Sequence, residues 1–295
     1  MTQAARFREL LRRDGMVVAP GAYDCITARL IERAGFAAVY MTGAGTAATL
    51  GYPDFGLVTM SEMVGNAGRI AAAVALPVIA DADTGYGNEL NVVRTVREYE
   101  TVGVAGIHIE DQGFPKKCGH LDDKEIVPRE DWLAKIRAAA ASRRSPDFLV
   151  IARTDARAVA GFDEAIARAN MAIAAGADMA FVEAPQTVEE VAAVPRLVSG
   201  PCLLNVVRGG KTPEVDLREA ESMGYKLAIV PGLLIKNVIG ICEKMLGELR
   251  ETHRHPAPVR EMTVRETFQL SGADEWDALR TRFREPPEPR RDAAQ

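Results

Sequence analysis

An α/β fold of the (β/α)8 TIM-barrel type is what this sequence predicts, on three observations. Short β-branched or apolar runs alternate with amphipathic helical patterns along most of the chain, the mark of βα units and a parallel sheet. Eight such units can be counted between residues 16 and 231. The 295 residues exceed the usual ~100–200 of one domain, but α/β barrels run to about 250 residues around a single core.

In order, the expected strands are Met16–Pro20, Ala37–Thr42, Pro77–Asp83, Ala105–Asp111, Phe148–Thr154, Met179–Ala184, Cys202–Val206 and Lys226–Pro231. Helical patterns lie between them; "EAIARANMAIAAGA" repeats Ala and Ile at three- and four-residue spacing and ends at Gly176, a plausible C-cap. An open doubly wound sheet is the competing architecture. It lacks the GxGxxG fingerprint after the first strand, and "GAGTAATLG" after the second has the wrong spacing. Residues 1–250 are therefore expected to form the barrel. Residues 251–295 should form a helical extension, with a Pro-punctuated link, two helical patterns and a charged, disordered tail "REPPEPRRDAAQ".

Composition narrows the function. The formal charge of −5, from 36 Lys and Arg against 41 Asp and Glu, offers no basic field for nucleic acid or anionic lipid. No apolar run reaches the ~18 residues of a membrane span, and the N-terminus reads as an amphipathic helix without a secretory signal. A cytoplasmic protein is expected. Cys25, Cys118, Cys202 and Cys242 form no CxxC, so reduced thiols are expected. Three of them sit in apolar surroundings, whereas Cys118 lies in "FPKKCGHLD".

Polar groups at the C-terminal ends of barrel strands face the active site. Those ends carry Asp81 and Asp83, His108 and Glu110, Arg153, Glu183, and Asn205; within each pair the residues are two apart and share a face. Buried carboxylates need compensation, and Asp81, Asp83 and Glu110 supply hard oxygens suited to Mg²⁺. Salt bridges to Arg153 and nearby lysines are the other reading. "DADTGYGN" lacks the later acidic ligand of a calcium loop, and its glycines suit a tight turn beside a ligand.

"QGFPKKCGHLDDKE" follows the fourth strand and can fold over the barrel mouth as a lid. Lys116, Lys117 and His120 would favour a thiolate at Cys118 and attract an anionic substrate. Metal, anion-binding groups and a movable proton donor suit cleavage of a carbon–carbon bond in a hydroxylated di- or tricarboxylate. A base takes the hydroxyl proton, the bond breaks, and Cys118 protonates the enolate-like fragment.

"KKCGH" after "HIEDQ", with "DADTGYGN" upstream and "IARTDA", "FVEAP" and "GGKTP" downstream, resembles the isocitrate lyase and phosphoenolpyruvate mutase superfamily, in order from about Ala19 to Pro231. The likeness is greatest to its short lyases of the 2,3-dimethylmalate and 2-methylisocitrate types and to oxaloacetate hydrolase. Carboxyphosphonoenolpyruvate mutase shares the motif set and remains an alternative. The resemblance implies Cys118 as catalytic acid, with Gly119 and His120 contacting substrate. It implies Mg²⁺, with Mn²⁺ as a substitute, on Asp81 and Asp83, Glu110 acting through water and Asp54 nearby. Thr42, Gly43 and Ala44 match the loop that binds the 2-oxo acid carboxylate, and Arg153, Glu183 and Asn205 match substrate-contacting positions. Tyr40 is a candidate base, or else completes a hydrogen-bond network. A homotetramer that swaps the helix from about Leu233 to Leu249 is also implied.

Two departures bear on the substrate. Lys236 stands where the methylisocitrate type carries an arginine for the far carboxylate, and Lys lacks the bidentate fork. "GGKTP" after the seventh strand matches the dimethylmalate type. A smaller, malate-like diacid is expected.

Overall fold

The computed structural model describes residues 1–284; the tail expected to be disordered lies, apart from Arg284, outside them. Eight parallel strands, β1 (Val17–Ala22), β2 (Val39–Met41), β3 (Val78–Asp81), β4 (Gly106–Glu110), β5 (Leu149–Thr154), β6 (Met179–Val182), β7 (Cys202–Asn205) and β8 (Leu227–Val230), close into a barrel in sequence order. Each expected strand is present; β1 starts one residue later and runs two residues further than expected, and the other seven are shorter by one to three residues.

Side-chain alternation sorts these strands into two faces. Ala19, Tyr40, Ile79, Leu149, Ile151, Met179, Phe181, Leu203, Leu227 and Ile229 form one buried cluster, the packed lumen, which Phe7 of the N-terminal helix Gln3–Arg12 joins. Intervening residues such as Val78, Ala80, Ile107, Val150 and Ala152 pack in the cluster that takes in the surrounding helices. Continuing the inward parity to the C-terminal ends brings up Asp81, His108, Glu110, Arg153, Glu183 and Asn205. Strand register then levels them: Asp81 pairs with His108, and Glu110 with Arg153.

Helix starts follow ordinary capping chemistry. Asp24, Thr59 and Asn88 each accept from the backbone three residues on, and Thr27, Glu62 and Asn91 answer them. Such caps fix where each βα loop ends, and so the rim on which the site is built.

The chain divides into a compact unit Met1–Cys242, which holds the barrel, and a second from Glu243 onward. The helix Leu233–Thr252 buries none of its residues although it carries Leu233, Val238, Ile239, Ile241, Leu246 and Leu249. In the second unit, Val264–Gln269 is capped by Thr263 and Glu266, and Ala273–Arg284 follows it.

Candidate active site

At the C-terminal mouth a cavity of about 350 Å³ is lined by Tyr40, Thr42, Ala44, Asp54, Asp81, Cys118, Gly119, His120, Arg153, Glu183 and Asn205, with Leu121, Val207, Ile235 and Lys236 at its edge. Gly43, Asp83 and Glu110 are not in its wall. Gly43 contacts it through a backbone N–H that donates to Asp81 Oδ2 at 3.2 Å, whereas Asp83 and Glu110 are buried outside its lining. A larger cavity of about 850 Å³, bounded by Gly56–Met60 and Thr84–Glu89, contains none of the expected site residues.

The acidic side is compensated by a lysine. Lys116 Nζ bonds Asp54 and lies 2.6 Å from Asp83 Oδ1. Asp81 Oδ1 accepts the Asp83 backbone N–H at 2.9 Å, and Asp83 itself takes φ +45°, a left-handed conformation tolerated where function demands it. Burial raises Asp83 to about 6, while His108, Lys116 and Arg153, outweighing burial, bring Asp81 down to about 2. Glu110 is fully buried; neither of its oxygens has a hydrogen bond, and Arg153 approaches Oε2 only at 3.2 Å. Burial accordingly pushes its pKa well up.

These orphaned oxygens fit a divalent cation by their chemistry. Among the described residues, however, no three His, Cys, Asp or Glu side chains gather closely enough to ligate one together. The donor set therefore suits an ion that takes one or two carboxylates directly and reaches the others through water, as Mg²⁺ does.

Tyr40 bridges the two sides. Its hydroxyl is 2.8 Å from His108 Nε2 and 3.2 Å from Asp81 Oδ2. The phenol donates to the carboxylate and accepts from His108, which puts the imidazole proton on Nε2 and leaves Nδ1 bare. Burial and the Asp81 charge raise the phenol far above its usual range.

Arg153 organises the opposite wall. Its guanidinium grips Asp155 with two bonds of 2.9 and 3.1 Å, approaches Glu183 at 3.5 Å and lies over the Phe181 ring. Asn205 Nδ2 donates to Glu183 at 3.1 Å. His120 Nδ1 accepts the Lys211 backbone N–H at 3.1 Å, so a neutral ring carries its proton on Nε2 and aims it at Glu183 Oε1, 3.3 Å away. Burial lowers the His120 pKa, which favours that neutral form.

The thiol differs from expectation. Lys116 spends its charge on Asp54 and Asp83, and burial outweighs what cations remain, so Cys118 is raised and holds its proton. Burial thus favours the thiol over the expected thiolate, and the thiol is the form a proton donor needs. Gly119 beside it is required by close approach: a Cβ there would lie 2.5 Å from Arg153 Nη2 and 2.6 Å from Glu183 Cγ.

Sequence reasoning placed His108 at the site without a role and missed Lys124, Asp155 and Lys211, although all four brace the site. Asp155 had a usable signal, since it follows Arg153 by two in "RTDA". The partners of Lys124 and Lys211 are set by loop folding, which periodicity does not reveal. Lys236 sits in the cavity wall with its ammonium donating to the Arg208 carbonyl at 2.6 Å.

A family described as phosphoenolpyruvate phosphomutase matches residues 7–250. A 2,3-dimethylmalate lyase of Eubacterium barkeri is 53% identical over 232 residues, 78% of this chain and 80% of that one. The 2-methylisocitrate lyase of Aeropyrum pernix is 45% identical over 83% of this chain and 79% of its own. Among solved structures, oxaloacetate acetylhydrolase in complex with 3,3-difluorooxalacetate superposes with a TM-score of 0.93 at 37% identity, covering 97% of this chain and 98% of that one. With the barrel, the ordered motifs and these matches in agreement, the chain belongs to the phosphoenolpyruvate phosphomutase family, within the PEP mutase/isocitrate lyase superfamily.

Proposed function

We propose that this protein is a divalent-cation-dependent carbon–carbon lyase that cleaves a 2-hydroxy dicarboxylate, malate-like and substituted, into a 2-oxo acid such as pyruvate and a second carboxylate. The observation that carries the reading is the Cys118 thiol in the wall of a cavity shared with Arg153, His120, Glu183 and Asn205. Its lyase relatives agree with it.

Asp81 and Asp83 would hold Mg²⁺, or Mn²⁺ in its place, with Glu110 and Asp54 reached through water. When bound, the cation supplies positive charge for the oxygens of the 2-oxo acid. Thr42 caps the helix Gly43–Thr49; with the Thr42 N–H given to the Ala22 carbonyl and that of Gly43 to Asp81, Ala44 offers its backbone N–H to the adjacent carboxylate of the 2-oxo acid. Arg153 contributes the fixed positive charge of the wall, while His120 and Asn205 donate to substrate oxygens beside Glu183. Once the hydroxyl proton has passed to solvent water at the cavity mouth, the oxygen's electron pair forms the 2-oxo carbonyl, the carbon–carbon bond breaks, and that bond's pair moves to the departing carbon and its carboxylate. Cys118 gives that carbon its proton, and Tyr40 keeps Asp81 oriented throughout.

The bond from Lys236 to Arg208 favours a small diacid, because it occupies the group that would otherwise face a distal carboxylate. We assign catalysis to residues 1–250 and none to 251–295, since every wall residue lies between Tyr40 and Lys236. A homotetramer with exchanged Leu233–Thr252 helices would cover the apolar side chains that this helix leaves exposed. A reducing, cytoplasmic location suits four free cysteines, and no described helix is long and apolar enough to cross a membrane.

The test is to incubate the protein with Mg²⁺ and, in turn, 2,3-dimethylmalate, 2-methylisocitrate, isocitrate and oxaloacetate, measuring 2-oxo acid formed or oxaloacetate lost beside Cys118→Ser. Turnover of a diacid that the variant loses supports the lyase. Absence of turnover with all four would overturn it and direct attention to phosphonates.

A further inference from the structure

The segment carrying Cys118 is anchored twice by ion pairs of buried lysines, one to Asp155 and one to the Asp54 and Asp83 carboxylates of the proposed cation site. Its stem is zipped by backbone bonds, Gly113 to Glu125 at 2.8 Å and Val127 to Asp111 at 2.9 Å. Beyond the stem, Lys124 donates both to the Gly119 carbonyl and, at 2.8 Å, to Asp155 Oδ1. The Lys124 and Asp155 side chains are 1% and 0% exposed, so water does not weaken this pair. On the far side of the thiol, Lys116 reaches Asp54 and Asp83.

Asp155 is itself held in place. Arg153 binds both its oxygens, and its backbone N–H donates to Asp111 Oδ1 at 2.8 Å, whose other oxygen takes Thr154 at 2.7 Å and Arg168 at 3.1 Å. One carboxylate thus ties a substrate-facing arginine and the carbonyl after Cys118 into a rigid buried frame. Gly119 packs so closely on this frame that a Cβ there would lie 2.5 Å from Arg153 Nη2.

We infer that Lys124 is a positioning residue: with Lys116 at the other end, it latches the Cys118–Gly119–His120 turn onto the barrel rim and sets where the thiol points. The inference rests on Cys118 as the proton donor of the proposed lyase, but its physical content, closure of the segment, is measurable without substrate. Breaking either latch should raise the fraction of molecules in which Cys118 is open to solvent.

Alkylation by iodoacetamide, resolved cysteine by cysteine by mass spectrometry, reads that fraction directly in the full chain. In Lys124→Met, Cys118 should label roughly tenfold faster than in the unaltered protein, as for a local opening that has lost one buried ion pair, while buried Cys202 keeps its rate. With an accepted substrate, kcat should fall while KM changes little, and Lys124→Arg should restore part of it. An unchanged Cys118 rate in Lys124→Met overturns the inference, as does equal acceleration at Cys202, which would mean general loosening. Should Lys124→Met fail to fold, Lys116→Met is read by the same criteria and decides. If labelling responds but no diacid is turned over, the latch stands and the lyase reading fails.

Discussion

The backbone N–H of Lys211 donates to His120 Nδ1 at 3.1 Å, so the loop after β7 orients an imidazole carried by the segment after β4. Gly210 makes this approach possible: a Cβ there would meet His120 Nδ1 at 2.7 Å and the Val207 carbonyl at 3.0 Å. Gly210→Ala should turn the ring away from Glu183. Turnover is expected to drop about 10- to 100-fold, as when a positioned hydrogen-bond donor is lost, with little change in thermal midpoint. Steady-state kinetics beside a melting curve checks both halves.

Tyr40→Phe removes the hydroxyl shared by Asp81 and His108. The imidazole N–H is then left buried without its short partner, which should cost about 1–3 kcal/mol of stability in a denaturant titration. If Tyr40 orients and does not act as base, some turnover survives; a complete loss would return the base role to it.

Asp155→Asn should be the most destabilising single change at the site. It leaves Lys124 and Arg153 as buried cations missing a shared counter-charge. Breaking such a pair costs about 3–5 kcal/mol, which should lower the melting midpoint on the order of 10 °C. A shift of only a degree or two would mean that water or Glu183 takes over the charge.

For Cys118 the sign of the pH effect follows from burial. Its folded pKa is raised, so the unfolded chain ionises first as pH climbs. Stability should decline from the free-thiol value of about 8.5 upward through the higher folded value, and Cys118→Ser should lessen that slope, with Cys202, raised by burial to about 12, contributing to what remains. In the folded protein the pH midpoint of Cys118 alkylation should lie above the free-thiol value. A midpoint at or below the free-thiol value would restore the thiolate first expected from the flanking lysines.

Much of this architecture can be read from the chain because barrels are periodic. Alternating strand and helix patterns mark all eight units, and the two-residue repeat points Asp81, Glu110, Arg153, Glu183 and Asn205 inward before any coordinates are known. The "KKCGH" run likewise marks the segment that reaches the mouth, since a thiol in such a setting stands apart from the other three.

Charge compensation was decided only by the tertiary structure. Neighbours in sequence suggested that Lys116 serves Cys118; in the fold its chain runs past the thiol to Asp54, 62 residues away, and to Asp83. Lys124, ordinary in "LDDKE", becomes buried by pairing with Asp155, 31 residues on. Local patterns record which face a side chain takes because backbone geometry imposes the period. Ion pairing and desolvation depend on distances between elements, so they come into being only when the barrel closes.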